Sequence, residues 1–128
     1  MKLIHTQSLA IGYTEGHTNK VLQEDINLSL SSGEIISLMG QNGVGKTTFI
    51  KTLSGLNKRI SGSVYHQDRL IDEISKSSLA KQISIVLTEK PFAEYLSVIE
   101  LIALGRHPYS NWIGRLNTSH KKARDLSN

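Results

Sequence analysis

Nine consecutive residues, Gly40-Gln41-Asn42-Gly43-Val44-Gly45-Lys46-Thr47-Thr48, leave this chain few choices of architecture. A glycine, four free positions and then Gly-Lys-Thr is the spacing of a phosphate-binding loop. Glycines let the backbone turn and approach an anion so that successive N–H groups converge on phosphate oxygens. A helix starting near Lys46 adds its own unpaired N–H groups and the positive end of its dipole. Lys46 sets a mobile cation against the terminal phosphates, and the Thr47 hydroxyl is a ligand for a magnesium ion bridging them. Thr48, one position on, helps the helix start or pack. The motif demands a strand before it and a helix after it. Ile35-Ile36-Ser37-Leu38-Met39 is an apolar run too short for a helix, which predicts a strand buried on both faces at the centre of a sheet. Lys46 to Leu53 has helical composition, with Gly55 as its stop. Binding of a nucleoside triphosphate follows.

The rest of the chain reads as strands first and short helices later. Lys2 to Ala10 predicts a strand, followed by a turn from Gly12 through the polar run Thr14 to Lys20. Val21 to Leu30 predicts a second strand, since Ile26, Leu28 and Leu30 alternate with polar residues as in a sheet with one wet face. Val64 to Leu70 is a weaker strand signal, Ser75 to Gln82 a short helix, and Ile83 to Leu87 another strand closed by Pro91. Val98, Leu101, Ile102 and Ala103 form an apolar helical stripe, with Ser97 and Glu100 spaced as a capping box and Gly105 and Pro108 beyond its end.

A chain of 128 residues with 38% hydrophobic and 20% charged residues has the composition of one foldable domain. Residues 1 to 105 carry ten cationic and ten acidic side chains, so the net charge of +4 comes from Arg106, Arg115, Lys121, Lys122 and Arg124 against Asp125. That cluster is a solvated end or a docking surface and is too thin to argue for nucleic acid. With no cysteine there is no disulfide framework and no thiolate metal site. No stretch approaches the roughly 18 apolar residues of a membrane span, and Met1 to Leu9 lacks a signal-peptide core, so a cytoplasmic chain is expected.

With these motifs in place, the chain resembles the ATP-binding subunit of an ABC transporter, most closely the branch that powers importers of iron-siderophores, haem and cobalamin. The matching stretches are Val21 to Gly33, the phosphate loop, Thr52-Leu53-Ser54-Gly55, Ser61-Gly62 and Leu104-Gly105-Arg106-His107-Pro108-Tyr109, the last together with Trp112 to Leu116 carrying the importer likeness. The resemblance implies an α/β fold: a P-loop nucleoside triphosphate hydrolase core, truncated, preceded by an antiparallel β subdomain. Residues 1–128 would be part of one nucleotide-binding domain, with a helical subdomain starting at about residue 97. ATP and Mg²⁺ are the implied cofactors, contacted by Gly40, Asn42, Gly43, Val44, Gly45, Lys46, Thr47 and Thr48. Tyr13 stands where the family's aromatic stacks on adenine, although a tyrosine closing the first hairpin is the other reading. Thr88 falls at the place of the family's glutamine after the next core strand, and its hydroxyl is shorter. Glu89 has the reach to magnesium but adds negative charge near the triphosphate. The pair is a divergent catalytic switch loop or a plain turn.

The implied partners are permease membrane subunits, a second ATP-binding subunit and, indirectly, a periplasmic or extracellular substrate-binding protein, with the protein peripheral on the inner face of the cell membrane. Arg106, His107, Pro108, Tyr109 and Trp112 are candidates for the permease surface; Trp112 is equally ordinary core material. The family's signature segment, the acidic residues that polarise water and the later histidine switch are not found before Asn128, so the sequence is expected to be an N-terminal half. A non-transport ATPase of translation or DNA repair, or a noncatalytic nucleotide-binding module, are the competing classes. Phosphoryl transfer needs positioned water and completed charge stabilisation as well as phosphate binding. The expected behaviour is therefore magnesium-dependent ATP affinity with background hydrolysis; robust turnover that Lys46→Ala abolishes, in a steady-state phosphate-release assay, contradicts it.

Overall fold

The computed structural model describes residues 1–86 and 97–109, and the chain divides into two compact units, Met1–Leu79 and Ala80–Asn128. The first is built on β1 (Lys2–Glu15), a strand long enough to serve two sets of neighbours. Its first half pairs antiparallel with β3 (Ser29–Ser31) on one side and β4 (Ser61–His66) on the other. Its second half pairs antiparallel with β2 (Thr18–Ile26), and β4 turns back into β5 (Arg69–Leu70), giving the order β2-β1-β4-β5 with β3 also on β1. This is the antiparallel β subdomain expected from the sequence.

β1 continues through Gly12 to Glu15, so the turn expected from Gly12 through Thr14 to Lys20 is confined to Gly16 and His17, inside that span. Gly12 marks a close approach: a Cβ there would stand 2.0 Å from the backbone oxygen of Lys20 on the paired strand. The single strand expected over Val64 to Leu70 is a tight hairpin, β4 to β5, whose central residues Gln67 and Asp68 have φ of 49° and 61°. Two positive φ values give the turn the twist that suits an antiparallel pair.

Leu9 and Ile11 of β1 and Val64 of β4 are fully buried, and α1 (Lys46–Leu53) covers them with Phe49 and Thr52, three residues apart and so on one helix face. Buried hydroxyls are paired. Thr6 donates to the Ile26 carbonyl at 2.9 Å and accepts from the Leu28 N–H at 2.9 Å, tying β1 to the end of β2. Thr52 donates to the Thr48 carbonyl at 2.8 Å within the helix. Gly55, at φ 72°, ends α1 where the sequence places the stop. Beyond β5 a 3₁₀ turn (Ile71–Glu73) and α2 (Lys76–Ala80) add Ile71, Ile74 and Leu79 to the core. Arg59 and Asp72 pair at 2.5 Å on this side, and the hydrogen bond from Arg59 holds the Asp72 carboxyl below its ordinary value.

The run Ile35 to Met39 departs from expectation. It belongs to no ladder among the described residues, and Ile35 is 97% and Met39 86% exposed. A doubly buried strand needs neighbours on both edges and cover on both faces. The described strands are spent on the antiparallel sheet around β1, which leaves 35–39 without either. Residues 83–86 of the predicted Ile83 to Leu87 strand likewise form no ladder, and Leu87 lies outside the described residues.

In the second unit, α3 (Val98–Leu104) begins with the anticipated capping box: the Ser97 hydroxyl accepts from the Glu100 N–H at 3.3 Å, and the Glu100 carboxylate accepts from the Ser97 N–H at 2.8 Å. Those hydrogen bonds hold the Glu100 carboxyl below its ordinary value. Val98, Ile99 and Ile102 are exposed on this helix. The Tyr109 hydroxyl donates to the Lys81 carbonyl at 3.0 Å. No helix among the described residues is long and apolar enough to cross a membrane.

Gly12→Ala forces a methyl into a backbone oxygen that has no rotamer with which to yield, and is expected to cost about 2 kcal/mol or more, read from the urea midpoint. Both lowered carboxyls, Asp72 and Glu100, stabilise the fold above their ordinary unfolded values near pH 4, and this contribution disappears as pH falls through their lower folded values. Because Asp72 is half exposed, Asp72→Asn at pH 7 is expected to cost only about 0.5 kcal/mol, with the difference from wild type vanishing in acid denaturation below that window.

Candidate nucleotide-binding site

The loop from Gly40 to Gly45, exposed as far as Val44, runs directly into α1. Gly40, Gly43 and Gly45 have φ of 153°, 84° and 107°, so each of the motif's glycines uses the backbone region that side chains disfavour. Gly45 is the residue before the first helical position, in the left-handed region, and no side chain caps the helix. The first intrahelical bond runs from the Phe49 N–H to the Gly45 carbonyl at 2.8 Å. The N–H groups of the first turn therefore face outward from an uncapped helix start, the arrangement that suits an anion.

Lys46 curls over this loop. Its Nζ donates to the carbonyls of Gly40 at 2.6 Å and Gln41 at 2.7 Å, which holds the ammonium at the mouth of the turn instead of in open solvent. Thr47 is exposed on the first turn, Thr48 is half-buried, and Asn42, Gly43 and Val44 are exposed. The structure thus gathers the expected phosphate-loop residues at one end of one helix: backbone donors, one cation and one hydroxyl. This donor set fits a triphosphate with magnesium. Lys46 and the loop N–H groups would hold the phosphates and Thr47 would supply an oxygen to the metal.

The loop rests on the sheet through Gly45. A Cβ at that position would lie 3.4 Å from Ile11 Cδ1 on β1 and 3.4 Å from Leu22 Cβ on β2. Beside it, Gln23 Nε2 donates to the Val44 carbonyl at 3.4 Å. Tyr13 stands two residues along β1 from Ile11, paired with Lys20 of β2 and 40% exposed. The Lys20 ammonium lies 5.4 Å from the Tyr13 ring centroid, and hydrogen bonding to the Tyr13 hydroxyl raises its pKa above the ordinary lysine value. The aromatic candidate thus sits on the strand that supports the phosphate loop, with a cation already against its ring.

Thr88, Glu89 and Trp112 lie outside the described residues. Arg106, His107, Pro108 and Tyr109 lie in the second unit, where Pro108 is half-buried and the other three are exposed. Among the described residues no cluster of three or more His, Cys, Asp or Glu side chains is arranged to hold a metal ion. A groove of about 820 Å³ opens at the other end of α1, lined by Thr52, Leu56, Ile60, Val64, Ile71 and Leu79, and includes none of residues 40–48. Ile11, Leu22 and Gln23 lie outside the phosphate-loop motif and carry no site signal of their own in the sequence. The one available signal was the adjacent apolar pair Val21-Leu22, which breaks the alternation expected of a regular half-buried strand.

Comparison with known proteins agrees with this geometry. The family model described as ABC transporter matches residues 23–128. An uncharacterized ABC transporter ATP-binding protein of Methanocaldococcus jannaschii is 37% identical over 120 residues, covering 94% of this chain and 40% of that protein. The iron(3+)-hydroxamate import ATP-binding protein FhuC of Bacillus subtilis is 34% identical over 122 residues, covering 95% of this chain and 44% of that protein. Among solved structures, a dimeric bacterial ABC transporter cassette superposes with a TM-score of 0.75 at 22% identity, covering 97% of this chain and 54% of the other, a likeness of fold. The chain spans about two fifths of the length of these curated relatives.

Proposed function

This chain belongs to the ABC transporter family, and from that premise we propose that it supplies the phosphate loop and the adenine-side strand of an ATP-binding subunit that powers import of an iron-siderophore. The observation that carries the proposal is the uncapped start of α1, with Gly45 in the left-handed region, Lys46 at the mouth of the loop and Thr47 on the first turn. Bound ATP and magnesium would supply the transferable phosphoryl group and the charge that neutralises it. The chain's own residues would bind and orient: the loop amides and Lys46 would hold the phosphates, the Thr47 hydroxyl would be available to the magnesium, and the Tyr13 ring would offer a flat apolar surface to the base.

The cargo assignment follows the relatives' own names. Besides the hydroxamate system, a protein of Bacillus subtilis named as a probable siderophore transport system ATP-binding protein is 32% identical over 96% of this chain and 43% of that protein. Haem and cobalamin importers belong to the same reading. In it, permease subunits and a binding protein select the cargo, while this chain meets a second ATP-binding subunit and the permease from the inner membrane face. Lys46 is the catalytic cation of the intact subunit, with Thr88 and Glu89 as the switch after it.

The test is a calorimetric titration of the 128-residue chain with ATP, with and without magnesium. Saturable, magnesium-dependent binding is expected, and a folded chain that ignores millimolar MgATP refutes the proposal. Tyr13→Ala is expected to weaken ATP about tenfold while leaving inorganic tripolyphosphate binding unchanged, since base stacking is lost and phosphate contact is not. Equal loss for both probes removes Tyr13 from the adenine site.

A further inference from the structure

We infer that Leu22 and Gln23, neighbours on β2, are positioning residues for the phosphate loop, acting on it through Gly45 and Val44; the inference rests on the nucleotide-binding reading above. In a regular strand consecutive side chains point to opposite faces. Here both reach the same loop. Leu22 Cβ and Cδ1 stand 3.4 and 3.5 Å from where a Cβ of Gly45 would be, while Gln23 Nε2 reaches the Val44 carbonyl at 3.4 Å.

The strand register explains how. Ile11 pairs with Gln23 and the next residue, Gly12, pairs with Val21, so Leu22 is an extra residue on β2 with no partner on β1. Such a bulge bends its strand and re-aims the side chains beside it. The same pairing brings Ile11 next to Leu22, and the two side chains form an apolar floor under Gly45. That floor matters because Gly45, at φ 107°, is the pivot between loop and helix. A shift of Gly45 toward the sheet would swing the N–H groups of the loop and of the first helical turn together. Leu22 limits that shift to about the width of a methyl group, and Gln23 holds the preceding carbonyl from the side through a long hydrogen bond. Neither residue belongs to the phosphate-loop motif. Each sets the place from which the contacts are made.

The experiment uses the 128-residue chain and three variants, Leu22→Ala, Leu22→Met and Gln23→Leu. Affinities for MgATP and for magnesium tripolyphosphate are measured by calorimetry, and stability without ligand by urea unfolding. Leu22→Ala and Gln23→Leu are each expected to weaken both probes about fivefold or more. Leu22→Met, which keeps the floor's volume, is expected to bind within about twofold of wild type. Gln23 is exposed, so Gln23→Leu should keep the wild-type urea midpoint, a result that separates positioning from general support of the fold. Wild type that binds neither probe overturns the nucleotide reading and this inference with it. Wild type that binds both, with Gln23→Leu binding equally well, overturns the positioning role alone; so does affinity lost only in Leu22→Ala and only alongside a fall in its urea midpoint.

Discussion

The seat of Gly45 on Ile11 and Leu22 is the contact on which the site depends. A Cβ there would meet Ile11 and Leu22 at ordinary van der Waals distance, so it is the backbone at φ 107°, strained for any other residue, that calls for glycine. Glycine lets α1 begin directly against the β1–β2 hairpin, and one turn later Phe49 enters the core that β1 shares with β4. The sheet, the loop and the helix are thereby fixed to one another within a few residues. The antiparallel strands are the loop's foundation, and the strand carrying Tyr13 is the strand carrying Ile11.

Much of this was legible because it is local. The phosphate motif, the extent of α1, the stop at Gly55 and the Ser97–Glu100 capping box each depend on residues a few positions apart, and each stands where the pattern places it. Features set by distant neighbours were not legible. Gly12 reads as a turn because the reason for the glycine, a carbonyl on the paired strand, is eight residues away in sequence. The Gln67-Asp68 turn carries none of the glycine or asparagine signals of a tight hairpin, so β4 and β5 look like one strand. Burial of Ile35 to Met39 was inferred from composition, but burial is a relation, and no described strand lies alongside to provide it.

The same distinction divides the site. Residues that meet a phosphate announce themselves, because the chemistry restricts both their type and their spacing. Residues that hold the loop in place are ordinary, a leucine and a glutamine, and their role comes from a register irregularity that no composition encodes. The aromatic is intermediate. Tyr13 was found by resemblance, and its neighbour Lys20, over the ring at 5.4 Å, appears only once the hairpin is folded.

The bare stretch from Ile35 to Met39 has a consequence of its own. Among the described residues no strand pairs with this stretch, its apolar side chains at Ile35 and Met39 are exposed, and nothing in those five residues is charged to discourage a neighbouring strand. A strand laid beside it would pair its backbone and cover Ile35 and Met39 together, so whether these five residues are ordered depends on a neighbour and not on their own sequence.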